Sequence, residues 1–136
     1  MKTPKKKYLI DTNVILRFLL NDHETFSPIA INFMTHVEKN LKKAEIIAPV
    51  IVECVYVMEK FYKIPRAEIA DKLCGIMTFS GITNPDKNEL IIALIAYANS
   101  TIDIVDCMLA AFSNDDNVII SLDKDFKKLD CTYERL

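Results

Sequence analysis

The chain has 136 residues, which gives room for one domain built around a single core. A composition of 51% hydrophobic and 26% charged residues is ordinary for a soluble globular protein. The net charge of −2 departs from the strongly basic balance usual in nucleic-acid binders. Local basic rims remain available in Lys5-Lys6-Lys7, Lys39/Lys42/Lys43 and Lys124/Lys127/Lys128, although each run taken alone reads as solvated charge.

In chain order, residues 1–6 form a basic leader, and a strand is expected near 7–10, where Tyr8-Leu9-Ile10 runs into Asp11. A helix near 14–20 follows, then a longer one near 28–42. A short strand at 45–48 precedes helices near 50–62, 66–78, 86–98 and 103–113. The run Val118-Ile119-Ile120-Ser121 marks a strand near 117–121. A short helix near 124–129 comes next, and Thr132-Tyr133-Glu134 reads as an edge strand. Pro28, Pro49, Pro65 and Pro85 each introduce a helical stretch, with Ser27 and Asn84 placed as N-caps before two of them. The stretch LIIALIAYA is apolar all round, which predicts a deeply buried helix. Strands alternating with helices argue for a single α/β domain over residues 1–136, with a parallel sheet covered by helices on its faces.

Several classes drop out. Cys54, Cys74, Cys107 and Cys131 are scattered with no Cys-x-x-Cys pair, which argues against zinc and fits a reducing cytoplasm. Asp11 and Arg17 interrupt the apolar run after the leader, so it does not read as a signal peptide. No apolar segment is long enough to span a bilayer. The only glycines are Gly75 and Gly81, so neither a phosphate-cradling loop nor a dinucleotide fingerprint can follow the first strand. A nucleophile elbow is missing. His23 and His36 lie far in sequence from every acidic candidate and read as surface residues.

What remains is a set of carboxylates. Asp11 and Asp123 follow the two clearest strands, and an α/β sheet binds ligands outside the carboxyl ends of its strands. Capping is the alternative for Asp11, but Thr12 or Asn13 could serve that helix instead. Glu53 shares a helical face with Val50 and Val57, where a carboxylate is costly unless it is paired or binds a metal. The alternative is the solvated edge of the stripe or an ion pair with a lysine. Asp103 and Asp106 stand on one side of a helix. Asp103 reads equally well as an N-cap, whereas Asp106 also shares a face with Leu109 and Ala110 and is expected to point inward. Asp123 could cap the short helix after it; Asp125 follows closely, and the Ser121 hydroxyl could orient a carboxylate or a water. Carboxylates gathered at one spot repel unless a cation sits among them, and an oxygen-only cluster suits Mg²⁺ or Mn²⁺.

The blocks LIDTNVILRFLLNDH, APVIVECVYVM, TIDIVDCMLAA and SLDKDFKKL resemble, in order and at suitable spacing, the motifs of PIN-domain nucleases, and most closely the VapC-type toxins of toxin–antitoxin pairs. The resemblance spans nearly the whole chain and implies a three-layer α/β/α fold with a central parallel sheet. It implies that Asp11, Glu53, Asp106 and Asp123 form the metal site, with Asp103 assisting. It further implies Mg²⁺- or Mn²⁺-dependent ribonuclease activity leaving a 5′-phosphate and a 3′-hydroxyl. Cys107 departs from the alanine often found there, and its small size should do no harm.

The expectation is therefore an endoribonuclease in which Asp11, Asp106 and Asp123 hold the metal and Glu53 positions or deprotonates the attacking water. Asp103, Asp125, Asn13 and Ser121 would support them. A phosphomonoesterase with Asp11 as nucleophile is the rival enzyme reading, weakened because Asn13 stands where that chemistry wants a second acid. A catalytically silent PIN-like binding module is the non-enzymatic rival. Apolar faces at 14–20 and 50–62, together with the resemblance, predict a homodimer that also binds a small antitoxin protein. No membrane partner is expected.

Overall fold

A computed structural model describes residues 6–136; of the basic leader, residues 1–5 fall outside that range, and Lys6 is exposed. Strand β1 (Lys7–Leu9) leads into helix α1 (Thr12–Leu20) and helix α2 (Phe26–Glu38), then strand β2 (Lys43–Glu45). Four helices follow: α3 (Ala48–Lys60), α4 (Arg66–Met77), α5 (Lys87–Ala98) and α6 (Ile104–Phe112). Strand β3 (Ile119–Ser121), a 3-10 turn at Asp125–Lys128 and strand β4 (Tyr133–Arg135) close the chain. Every expected element is present, with shifted ends. The second helix stops at Glu38 rather than near 42, because Asn40 takes the left-handed conformation (φ 62°) and the His36 carbonyl accepts from the amides of Leu41 and Lys42.

The strands are parallel, as expected, but they form two ribbons rather than one continuous sheet. β1 pairs with β2 in the register Lys7↔Lys43, Tyr8↔Ala44 and Leu9↔Glu45, and Ile82 makes a parallel bridge to Ala44 on the far side of β2. β3 pairs with β4, with Ile119 opposite Tyr133 and Ser121 opposite Arg135. Among the described residues no strand pairing joins the two ribbons. Most of the apolar interior belongs to one cluster that includes Ile15, Met34, Ile46, Ile51, Leu73 and Leu94. A small second cluster of Ala110, Ile119 and Phe126 sits under the β3–β4 ribbon.

Two expected caps have other duties. Ser27 lies inside α2, whose N-cap is Thr25, and its hydroxyl accepts from the His23 amide. His23, half-buried rather than a plain surface residue, takes over the helix start: its Nδ1 accepts from the amides of Thr25 and Phe26. Asn84 is buried, its side chain accepting from the Ile46 amide (2.9 Å) and donating to the Ile46 carbonyl (2.7 Å). It thus extends β2 as a surrogate strand, and Asp86 takes the cap of α5. Helix α5 buries Leu90, Ala93, Leu94 and Tyr97, but Ile92 and Ile95 are each about half exposed, at 54% and 52%, so it is not enclosed on all sides as expected. No helix among the described residues is long and apolar enough to cross a membrane.

Gly81 is fixed by close packing. Its amide donates to the Val37 carbonyl and its carbonyl accepts from the Ala44 amide, both at 2.8 Å. A Cβ at this position would run into the carbonyl oxygens of Val37 and Lys42, backbone atoms that cannot turn aside. Gly81→Ala is expected to cost about 2 kcal/mol through overpacking. Urea denaturation should show the midpoint falling at unchanged slope; an unchanged midpoint would mean that the loop into Ile82 yields freely.

Candidate metal centre

The carboxylates arrive from four places in the fold. Asp11 follows β1 and is the N-cap residue of α1, yet its side chain makes no capping bond; only its carbonyl serves the helix, accepting from Val14 and Ile15. Its carboxylate is therefore exposed and uncommitted. Asn13 is exposed beside it, and both line the groove along β1.

Glu53 stands on α3, whose buried stripe is Ile51, Cys54, Val55 and Met58. Glu53 itself is exposed, which corrects the expectation of a carboxylate held among apolar neighbours: Val50 and Val57 are only half-buried, and the side chain stays in water. Burial first, then the charges of Glu53 and Asp11, push the neighbouring Cys54 thiol up to about 12. That thiol is inert at neutral pH, and both carboxylates lie close enough to α3 for their charges to reach it.

Asp103 realises the capping alternative. It is the N-cap of α6, and its carboxylate accepts from the Val105 amide at 3.0 Å. The Tyr56 hydroxyl also donates to it, at 2.9 and 3.1 Å to its two oxygens. Asp106, one turn on, is half-buried while Leu109 is exposed and Ala110 is buried. Burial raises the Asp106 carboxyl above the usual carboxylate range, and the charges of Asp103, Asp123 and Asp125 raise it further. The Asp123 amide donates to the Ser121 hydroxyl (2.9 Å), and its carboxylate accepts from the Asp125 amide (3.1 Å), which holds the turn after β3. Ser121 thus orients Asp123 through its backbone. Asp125 lies 3.7 Å from Lys128.

The structure therefore brings Asp103, Asp123 and Asp125 within electrostatic range of Asp106, and Asp11 and Glu53 within range of Cys54. These carboxylate oxygens suit a hard cation, and no imidazole or thiolate joins them. Among the described residues no three such side chains converge closely enough to enclose an ion by themselves. Mg²⁺ commonly takes one or two carboxylates and keeps several waters, so the donor set fits such an ion in kind.

Two positioning residues carry no sequence signal of their own. Tyr56 tethers Asp103 from α3. The Arg66 guanidinium donates to the carbonyls of Tyr97 (3.1 Å), Ser100 (3.2 Å), Thr101 (3.3 Å) and Ile102 (2.8 Å), fastening the turn that delivers Asp103. Each acts across a separation that no local motif spans; Arg66 beside the helix-initiating Pro65 gives only a surface cation to a sequence reading.

The sequence profile of the PIN domain matches residues 8–130. No curated protein matches the chain. PIN domains are generally metal-dependent nuclease modules. On a match that runs from β1 to beyond the 3-10 turn, over an α/β fold with parallel strands, the chain belongs to the PIN domain family.

Proposed function

We propose that the chain is a metal-dependent endoribonuclease of the VapC type, the toxin of a toxin–antitoxin pair acting in the cytoplasm. The crowding of Asp106 by three further carboxylates carries this reading, because such a cluster is unfavourable without a cation. Asp11, Asp106 and Asp123 would hold Mg²⁺ or Mn²⁺, which when bound polarises a phosphodiester and lowers the pKa of water. Glu53, exposed and free to reach a water, accepts the proton of the attacking nucleophile. Asp103, fixed by Tyr56 and the Val105 amide, keeps α6 in place behind Asp106. Ser121 and Asp125 shape the loop of Asp123, and Asn13 faces the substrate side beside Asp11. Lys124 and Lys127, exposed on the segment that carries Asp123 and Asp125, would meet RNA phosphates. A homodimer and a small antitoxin complete the reading; the exposed Ile92 and Ile95 on α5 add to the apolar surface such partners would cover.

Cleavage of single-stranded RNA should require Mg²⁺ or Mn²⁺, stop with EDTA, and leave 5′-phosphate ends. Substrate binding should weaken steeply with salt. Cleavage that persists in EDTA would refute the metal requirement. Because Glu53 is exposed, Glu53→Gln should leave the melting temperature unchanged while turnover falls about a hundredfold or more, as for loss of a general base. A variant that melts earlier yet cleaves normally would assign Glu53 to structure instead.

A further inference from the structure

The groove beside Asp11 has a volume of about 790 Å³ and lies between β1, the start of α1 and α2. Along its β1 wall Tyr8 stands at one end and Asp11 at the other, a run of about 10 Å at strand spacing. On the α2 wall Phe33 meets Tyr8 edge-on, with ring centres 5.6 Å apart. Phe26 lies two turns earlier on that helix, again about 10 Å away by helical rise. Phe26 is 58% exposed, and an exposed ring on a concave wall offers its face to a flat partner. The ring is also held in place. The His23 imidazole lies nearly parallel to it at 4.5 Å, and His23 Nδ1 is fixed by the amides of Thr25 and Phe26.

The two ends of the groove differ in charge. Asp11 marks one end, with the cation it would hold in the nuclease reading. At the Tyr8 end, Lys42 places its Nζ 5.4 Å from the Tyr8 ring centre and 5.3 Å from that of Phe33. Lys7 and Lys43 are register partners on β1 and β2 close by. Lys7 lies 3.7 Å from Glu45, and Lys43 donates to the Asn40 side chain, so Lys42 is the ammonium held over the groove's own rings. A strand of RNA matches this order, with one phosphate at the metal, bases along the rings and a later phosphate at Lys42. An apolar segment of a protein partner would cover the rings but leave the ammonium at one end and the metal at the other without a ligand.

We propose that this groove is a nucleotide subsite that holds the unpaired RNA bases next to the cleaved phosphate, stacked on Phe26 and packed along Tyr8 and Phe33, with Lys42 on the backbone at its far end. A run of about 10 Å takes about three stacked bases at roughly 3.4 Å each. Stacking on aromatic side chains accepts any base, because every base has a π-face, so the subsite selects unpaired RNA rather than a sequence. Bases within a duplex keep their faces covered by their neighbours and cannot enter. Which phosphate is cut rests on the nuclease reading; occupation of the groove is measurable without cleavage.

The chain contains no tryptophan, so Phe26→Trp puts a single fluorophore on the groove wall and keeps a stacking face. In stopped flow with Mg²⁺, a short unstructured RNA should quench it before turnover, whereas an abasic ribose-phosphate strand of equal length should not. Adding Lys42→Gln should lower the salt slope of this binding by about one. Phe26→Leu keeps apolar bulk but loses the ring. It should raise KM for the RNA about tenfold, within what one stacked base contributes, and leave kcat little changed. No quenching by the RNA, or a wild-type KM in Phe26→Leu, would overturn the subsite and leave the groove to an apolar protein segment. Equal quenching by the abasic strand would overturn the stacking. Quenching by an RNA that the wild-type chain does not cleave would uphold the subsite and place the failure in the nuclease reading.

Discussion

Asp106→Asn is expected to lower RNA cleavage by on the order of a thousandfold, the scale on which removing one electrostatic group from a preorganised site acts, while raising the melting temperature of the metal-free protein. Asn keeps the side-chain shape and removes one of four neighbouring charges. Burial and the charges of Asp103, Asp123 and Asp125 all disfavour the ionised form of Asp106, so its charge is a cost to the folded state that only a bound cation offsets. Asp103→Ala provides the contrast. It deletes a capping bond and the acceptor of the Tyr56 hydroxyl, and should destabilise by about 1 kcal/mol, the usual worth of an N-cap. Calorimetry with and without Mg²⁺, alongside a cleavage assay, separates the two. Asp106→Asn that melts earlier, or that cleaves at the wild-type rate, would remove Asp106 from the metal centre.

The contrast between these neighbours marks what sequence reasoning reaches. Asp11 and Asp123 were legible because each follows an apolar strand run, and a carboxylate at that point needs only local pattern to be noticed. Asp106 was legible by its spacing from Asp103 on one helix. The surroundings of Glu53 were not: Val50 and Val57 suggested a buried face, but the stripe that packs inward is set by Ile51, Cys54, Val55 and Met58. Ser27 and Asn84 have the chemistry of caps, yet a histidine side chain from the preceding loop serves the first helix start, and the backbone groups of Ile46 occupy the Asn84 side chain, leaving the cap of α5 to Asp86. The division of the strands into two ribbons lies further out of reach. Strand pairing is non-local, and nothing in Tyr8-Leu9-Ile10 states which strands will hydrogen-bond to it.

Arg66→Ala should lower stability by about 3 kcal/mol and, through stability and position together, depress cleavage. Arg66 sits in the first turn of α4, but its guanidinium reaches the end of α5 and the turn into α6, donating to four carbonyls there. It also lies 4.2 Å from the centre of the Tyr97 ring and 3.6 Å from Glu59. Hydrogen bonds from a charged donor contribute about 1.5–3 kcal/mol where they are shielded from water, so the loss of several, with part of the turn exposed, sums to the lower end of that range taken twice. The carbonyls of Tyr97 and Ile102 would be left half-buried without a donor, and the turn would loosen just ahead of Asp103. Arg66→Lys separates the two contributions: it restores the charge and the contact with Glu59 but cannot fork to several carbonyls. Stability should then recover only in part, while the cleavage defect persists as a fall in kcat with KM little changed. Recovery of wild-type stability and turnover by Arg66→Lys would show that the charge alone matters and that the turn into α6 holds itself.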